Sequence, residues 1–357
     1  MIKILIGGSP CTYWSIAQKN NRETTAEGVG WELFKNYLIA KEKFVPDIFL
    51  YENNKSAAQA IKDQIKRELG VWDGTLLMRD TGARYIEINS ALVSAQNRQR
   101  FYVHNCGEVV QPEDRGIMLA DILESGVTDK NKAYCLKHQT GNARDYFKKH
   151  HTQIVYKPVN ACKDGKARTI KAQYAKNGIA NFITNGGHAA PGVAEPLYAI
   201  PTDKPIYEVK NGLSIIKGKQ YPINLPDGFY IVRKLTVTEC CRLQTMPDDY
   251  CKAVSDTQAY KALGNGWTAE VIIHILSGAL KDVSRDEKIL VLSMYDGMGT
   301  GRYILGKMGF KNIEYHAYEI DKYAMKIALS NYPDIIQHGD AFQVRNNEWN
   351  LGKEIQE

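Results

Sequence analysis

Cys11 is the residue around which the chemistry of this sequence is best organised. It follows a short apolar strand, Ile4–Ile6, after the turn residues 7–10, GGSP. Open α/β sheets hold their reactive groups just outside the carboxyl ends of strands, so Cys11 is a candidate nucleophile. Taken alone, a cysteine after a strand is more often a small buried hydrophobic residue, and the rest of the chain has to decide between the two.

Two further strands carry charged groups that such a nucleophile would use. The apolar strand 47–52 ends in Glu52, a candidate acid or hydrogen-bond partner for a base, or else a solvated strand terminus. Arg98 and Arg100 alternate along a strand and point to one side. Neighbouring guanidinium groups repel unless an anion or a carbonyl lies between them, and a phosphate and a base carbonyl would suit. The alternative is two surface arginines with separate acidic partners.

A second group of motifs predicts a cofactor site near the end of the chain. Residues 289–301, ILVLSMYDGMGTG, combine an apolar strand with a glycine-rich turn, and a helix is predicted over 302–309. The next strand, 313–318, ends in Glu319, twenty residues after Gly299. This layout is typical of sites in which the backbone approaches a nucleoside and an acid takes the ribose hydroxyls. Asp340, after the following strand, is placed to accept from an adenine amino group.

The composition is that of an ordinary globular protein with room for two domains. The chain has 357 residues, of which 44% are hydrophobic and 24% charged. No apolar run approaches a membrane span, and no signal peptide precedes the first strand. Seven cysteines form no CxxC pair, which favours a reducing, cytoplasmic setting and argues against a structural metal site.

The middle of the chain, 105–230, predicts an inserted, irregular, mostly β module. Residues 150–220 contain ten basic and four acidic residues, which accounts for the net charge of +6. A basic segment between neutral flanks fits a nucleic-acid footprint, although a solvated lysine-rich surface would look the same. Its stretch 166–178 offers side chains for phosphates and base edges. The candidate DNA contacts there are Lys166, Arg168, Lys171, Gln173 and Lys176.

Together these motifs resemble those of the DNA (cytosine-5) methyltransferases. The resemblance covers about 1–104 and 231–342, and its matching segments are GGSPC with Ser15, Glu52-Asn53, Gln96 with Arg98 and Arg100, 233–247, Gly264-Asn265, 293–301, Glu319 and Asp340. Several details, including Trp267, are closest to the animal de novo branch. Asn54 replaces the usual valine after the Glu-Asn pair, Ser293 replaces the usual acid of the cofactor motif, and Tyr295 replaces its phenylalanine.

The order of the motifs differs from that of the family, which normally begins with the cofactor motif. Here the Pro-Cys motif is first and the cofactor motifs are last, which predicts a circular permutation opened between the third and fourth strands. The predicted fold is a Rossmann-like methyltransferase sheet with an inserted target-recognition domain. The predicted domains are a catalytic first part, 1–104, a recognition domain, 105–230, and a catalytic second part, 231–357.

The resemblance implies methyl transfer from S-adenosylmethionine to carbon 5 of a cytosine flipped out of duplex DNA. Cys11 would add to carbon 6, Glu52 would act on ring N3, Arg100 would hold the base carbonyl and Arg98 a phosphate. Loop 12–30 would close over the base, with Ser15 and Gln96 near the DNA. The implied cofactor residues are Tyr295, Asp296, Gly297, Gly299, Thr300, Gly301, Glu319, Ile320, Asp340, Ala341, Asn265 and Trp267.

Two alternatives remain. A tRNA-modifying enzyme on the same fold is disfavoured because the middle segment, at over a hundred residues, is large enough for a DNA-recognition module. A catalytically inactive DNA-binding relative is disfavoured because Cys11, Glu52 and the cofactor glycines are all present. The absence of appended reader domains suggests a bacterial or phage enzyme, with a cognate restriction endonuclease as a candidate partner. The recognition sequence and the oligomeric state are not predicted.

Overall fold

The protein is described by a computed structural model covering residues 1–16, 22–71, 81–136, 154–159, 206–216, 219–347 and 349. The chain divides into two compact units. The first comprises Met1–Ile117, Cys135–Thr140 and Cys240–Glu357, and the second comprises Met118–Tyr134 and Gly141–Glu239. In the part of the chain that the structure describes, no helix is long and apolar enough to cross a membrane.

The regular elements alternate between strands and helices at both ends of the chain. The strands are β1 (Ile2–Gly7), β2 (Ile48–Asn54), β3 (Arg84–Asn89), β4 (Gln96–Asn97), β5 (Gln99–His104), β6 (Ala133–Tyr134), β7 (Ile154–Val159), β8 (Ile206–Lys210), β9 (Leu213–Ile216), β10 (Lys219–Pro222), β11 (Gly228–Lys234), β12 (Ile289–Met294), β13 (Ile313–Tyr318) and β14 (Ile336–Gln337). The helices are α1 (Gly28–Phe44), α2 (Gln59–Glu68), α3 (Val237–Leu243), α4 (Asp256–Asn265), α5 (Ala269–Leu280), α6 (Thr300–Lys307) and α7 (Lys322–Asn331).

A seven-stranded sheet in the order β14-β13-β12-β1-β2-β5-β3 is the framework of the first unit. The five strands from β14 to β2 are parallel, whereas β5 runs antiparallel to both β2 and β3. All six residues of β12 are buried, as is usual for a parallel strand covered on both faces. The first and the late strands of the chain therefore meet at the centre of one sheet, with Ile4 opposite Val291.

Helix α1 covers one face of this sheet with an aromatic core. Phe34 and Tyr37 pack edge-on against Tyr51 of β2, with ring centroids 5.1 and 5.0 Å apart. The helix begins at Gly28, inside the segment 12–30 that was expected to form a loop, and its first turn includes Gly28 and Gly30. The Glu23 carboxylate accepts from the Gly30 N–H at 3.1 Å, which stabilises that first turn.

One predicted strand is confirmed, and side-chain caps begin two of the helices. The predicted strand 313–318 is β13. A capping box begins α3 and is present in both directions: Glu239 N–H donates to Thr236 Oγ1 at 3.1 Å, and Thr236 N–H donates to Glu239 Oε2 at 2.8 Å. Asp321 caps α7 by accepting from the backbone N–H groups of Tyr323 and Ala324.

The second unit contains an antiparallel sheet in the order β10-β9-β8-β11-β7. Its small core includes Val209, Ile223, Tyr230 and Val232. The expectation of an α/β sheet with a mostly β middle segment is thereby confirmed for the described residues. The predicted DNA contacts Lys166, Arg168, Lys171, Gln173 and Lys176 lie outside them.

Candidate active site

The loop that carries Cys11 passes very close to the end of β2. Strand β1 ends at Gly7, and Cys11 opens a short 3-10 helix, Cys11–Tyr13. A Cβ atom at Gly8 would lie 2.5 Å from the carbonyl oxygen of Glu52 and 3.0 Å from its Oε2. Only glycine permits this approach, so the GGSP turn brings the cysteine loop onto the strand end that bears Glu52.

Glu52 is held from two sides. Its Oε1 lies 2.7 Å from Arg100 Nε, and its Oε2 accepts from Trp267 Nε1 at 3.2 Å. The Glu52 side chain is buried, as is that of Arg100. Arg100 and Trp267, predicted site residues from two other segments, thus both contact the Glu52 carboxylate. Burial opposes the charge of Arg100, but Glu52 and other nearby acceptors outweigh that effect and raise the pKa of its guanidinium.

The charges of Arg100 and Glu52 also affect the Cys11 thiol. Burial is the main cause of a raised pKa at the Cys11 thiol. The positive charges of Arg100 and Arg98 lower that pKa, whereas the negative charges of Glu52 and Cys135 raise it. The thiol is therefore mainly protonated at neutral pH in the free protein, and its reactivity depends on the balance of these four neighbours.

Arg98 is occupied by protein acceptors. It is 2% exposed. Its Nη2 donates to the Gly266 carbonyl at 2.7 Å, and its Nη1 lies 3.3 Å from the Gly264 carbonyl and 3.1 Å from Cys135 Sγ. These contacts hold the segment that presents Trp267 to Glu52. The phosphate contact expected of Arg98 stays a prediction.

A buried polar clamp fixes the loop just before Cys11, the candidate nucleophile. Ser9 Oγ lies 2.7 Å from Tyr51 OH, and Asn53 Nδ2 donates to the Ser9 carbonyl at 2.9 Å and to Tyr51 OH at 3.1 Å. On the other side of Cys11, Asn54 Nδ2 donates to Ser15 Oγ at 3.3 Å. Asn54, which departs from the family pattern, therefore ties the cysteine loop to the end of β2.

Gln96 has a different environment from the one its predicted DNA contact would need. Its side chain is fully buried. Its Oε1 accepts from the Leu136 N–H at 2.8 Å, and its Nε2 donates to the Leu243 carbonyl at 3.2 Å. Gln96 thus joins three segments of the first unit, and the predicted DNA contact receives no support from this position.

The glycine-rich turn after β12 contains two unusual features. Tyr295 adopts a left-handed φ of 61°, which is strained for a non-glycine residue and typical of functional turns. Its hydroxyl donates to the Leu33 carbonyl at 2.7 Å. Asp296 accepts from Tyr315 OH at 2.6 Å, but its Oδ2 is buried and has no partner among the described residues. Burial raises the pKa of Asp296 to about 6, although hydrogen bonds from Tyr315 and Ser293 oppose the shift.

The acid at the end of β13 is fixed by the backbone. Glu319 Oε2 accepts from the Gly297 N–H at 2.8 Å, and its Oε1 accepts from the N–H groups of Ile320 and Asp321. Gly297 has a φ of 65°, and a Cβ added there would meet no atom within 4 Å. The turn therefore leaves open space beside a fixed carboxylate.

The other predicted cofactor residues also lie at element ends of the first unit. Gly299 precedes α6, and Thr300 and Gly301 form its first turn. Ile320 is 71% exposed after β13, Asp340 precedes a 3-10 helix that begins at Ala341, and Asn265 ends α4.

Two residues of this site have no place among the predicted motifs. Cys135 contacts both arginines, and Tyr51 anchors the clamp on Ser9. The one available signal for Cys135 was the requirement for an acceptor between Arg98 and Arg100. For Tyr51 there was none, because a tyrosine in a buried strand usually serves the core. Among the described residues, no group of three or more His, Cys, Asp or Glu side chains could hold a metal ion.

Comparison with known proteins identifies relatives. The chain is 28% identical over 277 residues to the type II methyltransferase M.HpaII of Haemophilus parainfluenzae, covering 73% of this chain and 67% of the relative. It is 27% identical over 307 residues to the type II methyltransferase M1.ScrFI of Lactococcus lactis subsp. cremoris, covering 80% and 64%. The chain thus spans about two thirds of the length of these relatives.

A solved structure of DNMT2 from Spodoptera frugiperda is 15% identical, covers 76% of this chain and 78% of that chain, and has a TM-score of 0.37. The family model for C-5 cytosine-specific DNA methylases matches residues 1–281, so the predicted family and its methyltransferase fold class are confirmed. The chain belongs to the C-5 cytosine-specific DNA methylase family.

Proposed function

We propose that this protein methylates carbon 5 of cytosine in double-stranded DNA, with S-adenosylmethionine as the methyl donor and Cys11 as the nucleophile. The observation that carries the proposal is the meeting of Cys11, Glu52 and Arg100. The two charged groups form a 2.7 Å ion pair, and both act on the Cys11 thiol. Such a group of nucleophile, carboxylate and cation is what addition to an electron-poor ring requires.

In this mechanism the Cys11 thiol releases its proton to solvent water, and the resulting thiolate adds to carbon 6 of the cytosine. Glu52 hydrogen-bonds or protonates ring N3, which stabilises the charge that develops and makes carbon 5 nucleophilic. Arg100 binds the base carbonyl while it keeps Glu52 in place. After methylation the carbon 5 proton leaves to a base, and the Cys11 thiolate is expelled as the ring double bond reforms.

The base has to leave the duplex for this chemistry, because carbons 5 and 6 are covered by stacking within a helix. The Ser9–Tyr51–Asn53 clamp would keep the cysteine loop in place while the base enters. Trp267 would keep Glu52 aimed at N3, since it donates to the carboxylate oxygen that Arg100 Nε does not use.

The glycine-rich turn fits S-adenosylmethionine. When bound, this molecule supplies an electrophilic methyl group. Glu319 would accept from the ribose hydroxyls, because its carboxylate is already oriented by three backbone N–H groups. The buried Oδ2 of Asp296, which has no partner within the described part of the chain, would receive a donor, and the open space at Gly297 would admit the ligand. Asp340 and the exposed Ile320 would flank the adenine.

We also propose that the chain is a circular permutation of the family's catalytic domain. The supporting observation is that β12, which precedes the glycine turn, pairs in parallel with β1. The Met1 amino group forms an ion pair with Glu287 in the connector before β12, and the Ile2 N–H donates to the Lys288 carbonyl at 2.9 Å. The family's usual start and this chain's start would then lie side by side. The domain boundaries at 104 and 230 are part of this proposal.

The biological setting is proposed by analogy with the relatives named type II methyltransferases. The protein would modify DNA in the cytoplasm of a bacterium or a phage-infected cell. A restriction endonuclease of the same specificity would be its partner.

The test is bisulfite sequencing of DNA from a methylation-deficient bacterial host that expresses the wild-type chain, Cys11→Ala or Cys106→Ala. Cys106 is a buried cysteine outside the site and is the matched control. We expect methylated cytosines in one short sequence context with the wild type and the control, and none with Cys11→Ala. Methylation by Cys11→Ala would exclude the assigned nucleophile. Methyl transfer to tRNA and not to DNA in a competition assay would favour the RNA alternative.

A further inference from the structure

We propose that Cys135 is a positioning residue of the active site, which holds the guanidinium groups of Arg98 and Arg100 and adjusts the reactivity of Cys11. This inference rests on the proposed function. It concerns a residue that belongs to none of the motifs by which the chain resembles its family.

The geometry of the sulfur is that of a bridge between two like charges. Cys135 Sγ lies 3.1 Å from Arg98 Nη1 and 3.9 Å from Arg100 Nη2. Neighbouring guanidinium groups need an acceptor between them. Here the Cys135 sulfur supplies that acceptor.

The bridge is fixed through its own neighbours in the first unit. The Leu136 N–H donates to the buried amide of Gln96 at 2.8 Å, and Cys135 Sγ lies 3.5 Å from the Leu136 carbonyl. Gln96 in turn donates to the Leu243 carbonyl at 3.2 Å. Because the backbone beside Cys135 is pinned in this way, the sulfur orients the arginines and does not simply follow them.

The two contacts differ in strength, and the difference suits the reaction. The 3.1 Å contact holds Arg98 firmly, together with the carbonyls of Gly264 and Gly266. The 3.9 Å contact to Arg100 is weak. Arg100 can therefore exchange the sulfur for a base carbonyl without losing its ion pair with Glu52.

The lowered pKa of the Cys135 thiol supports the same role. Burial alone would raise the pKa of its thiol, but the two arginines overcome that effect and lower it. When the Cys135 thiol ionises, its negative charge competes with that of Cys11 for the same two arginines. The groups that face Cys11 are Arg100, Glu52, Arg98 and Cys135, and the last of these raises the pKa of Cys11. Removing the Cys135 charge should therefore let Cys11 ionise at lower pH.

The experiment compares Cys135→Ser and Cys135→Ala with the wild type and with the control Cys106→Ala. Steady-state methylation gives kcat and KM for DNA. Alkylation of Cys11 by iodoacetamide, followed against pH by peptide mass spectrometry, gives the ionisation midpoint of its thiol. We expect Cys135→Ala to lower kcat/KM by roughly 10- to 100-fold, as misplaced catalytic groups do, and Cys135→Ser to recover most of it. Both should move the Cys11 midpoint to lower pH by about half a unit to one unit.

Two results would overturn the proposal. One is a kcat/KM within twofold of the wild type and an unmoved Cys11 midpoint in both variants. The other is an equal loss of kcat/KM in both variants with an unmoved midpoint, which would mean that the sulfur only fills space.

The alkylation measurement uses neither DNA nor methyl transfer, so it remains readable if the wild type proves to methylate nothing. It also works without any variant. If Cys135→Ser and Cys135→Ala fail to fold, the alkylation midpoint of Cys135 itself in the wild-type protein decides. The proposal expects that midpoint below the usual thiol value of 9.0, and a midpoint at or above it would contradict the bridge.

Discussion

Arg100 and Glu52 form a buried ion pair in which Nε and Oε1 are 2.7 Å apart. The arginine has a second task, because its charge is the strongest of the influences that lower the pKa of Cys11. One cation therefore holds the proposed N3 partner, favours the thiolate and is available to the base. Loss of one member of this pair should affect folding and chemistry through different causes.

Arg100→Gln should destabilise the protein by about 3–5 kcal/mol, because Glu52 would remain buried without its cation. The double variant Arg100→Gln with Glu52→Gln should regain most of that free energy, since no charge is left unpaired. Neither variant should methylate DNA at more than about 1% of the wild-type kcat/KM. Urea denaturation and a methyl-transfer assay measure the two effects. A double variant as unstable as the single one would show that the ion pair is not the cause.

Tyr51→Phe should loosen the loop that presents Cys11. The substitution removes the hydroxyl that contacts Ser9 Oγ and Asn53 Nδ2. Ser9 Oγ then keeps only the longer 3.3 Å contact from Asn53 Nδ2, which also donates to the Ser9 carbonyl. The expected cost is about 1–3 kcal/mol in the free energy of unfolding, with a fall in kcat because the nucleophile is less well placed.

The matched control for this clamp is Tyr85→Phe. Tyr85 stacks on Phe101, and its hydroxyl donates to Glu87. The control should lose stability with little change in kcat. Equal kcat values for Tyr51→Phe and the wild type would exclude the clamp from catalysis.

The residues that could be predicted from sequence are those whose role follows from local geometry. The cap at Asp321 and the capping box of Thr236 and Glu239 need only a spacing of a few residues. The 2.7 Å contact of Glu52 with Arg100 was not predicted as such. Only the family resemblance placed both residues at one base, because strand position alone left each with a solvated alternative. Resemblance to a family added the pairing of the first and the late parts of the chain, which no periodicity reveals.

The residues that escaped prediction depend on contacts between distant segments. Cys135 follows a stretch without helical or strand periodicity, so its place beside Arg98 is determined by the tertiary fold. Gln96 shares a strand pattern with Arg98 and Arg100, yet its amide joins backbone segments. Gly28 and Gly30 have the composition of a hinge, but Glu23 accepts from the Gly30 N–H and draws both into a helix.

His104 should make the protein less stable in mild acid. Burial, followed by the charge of Arg84, lowers the pKa of its imidazole from 6.5 to about 4. Its Nδ1 accepts from the Cys106 N–H at 3.2 Å, so the neutral ring is the folded form. The unfolded chain binds the proton between pH 6.5 and 4, so this contribution is complete above pH 6.5 and is lost as pH falls.

The expected loss from His104 is up to about 3 kcal/mol over that window. Urea denaturation between pH 4 and 7 measures it, with His104→Phe as the comparison. The free energy of unfolding of His104→Phe should depend less on pH between 4 and 6.5 than that of the wild type, although the substitution leaves the Cys106 N–H without its acceptor. Parallel curves for the two proteins would contradict the assignment.

Asp296 should act in the opposite direction, because burial raises its pKa from 3.8 to about 6. The folded protein binds the proton more tightly than the unfolded chain in this window. Its contribution to stability is therefore present below pH 3.8 and is lost as pH rises through 6, by up to about 3 kcal/mol. The pH dependence of stability that arises from Asp296 has the opposite sign to the one from His104, so the two partly cancel in the wild type. Substitution of either residue should uncover the effect of the other.

Asp296→Asn should consequently raise the free energy of unfolding at pH 7.5 by about 2–3 kcal/mol, since the buried charge is gone while an oxygen remains for Tyr315 OH. The same change should weaken the binding of S-adenosylmethionine by about tenfold or more in calorimetry, because Oδ2 no longer accepts a donor from the ligand. Asp286→Asn, at an exposed position, should change neither quantity. A variant that is more stable and still binds S-adenosylmethionine as the wild type does would mean that the carboxylate does not contact the ligand. A variant that is less stable would mean that burial does not raise the pKa of Asp296 in the folded protein.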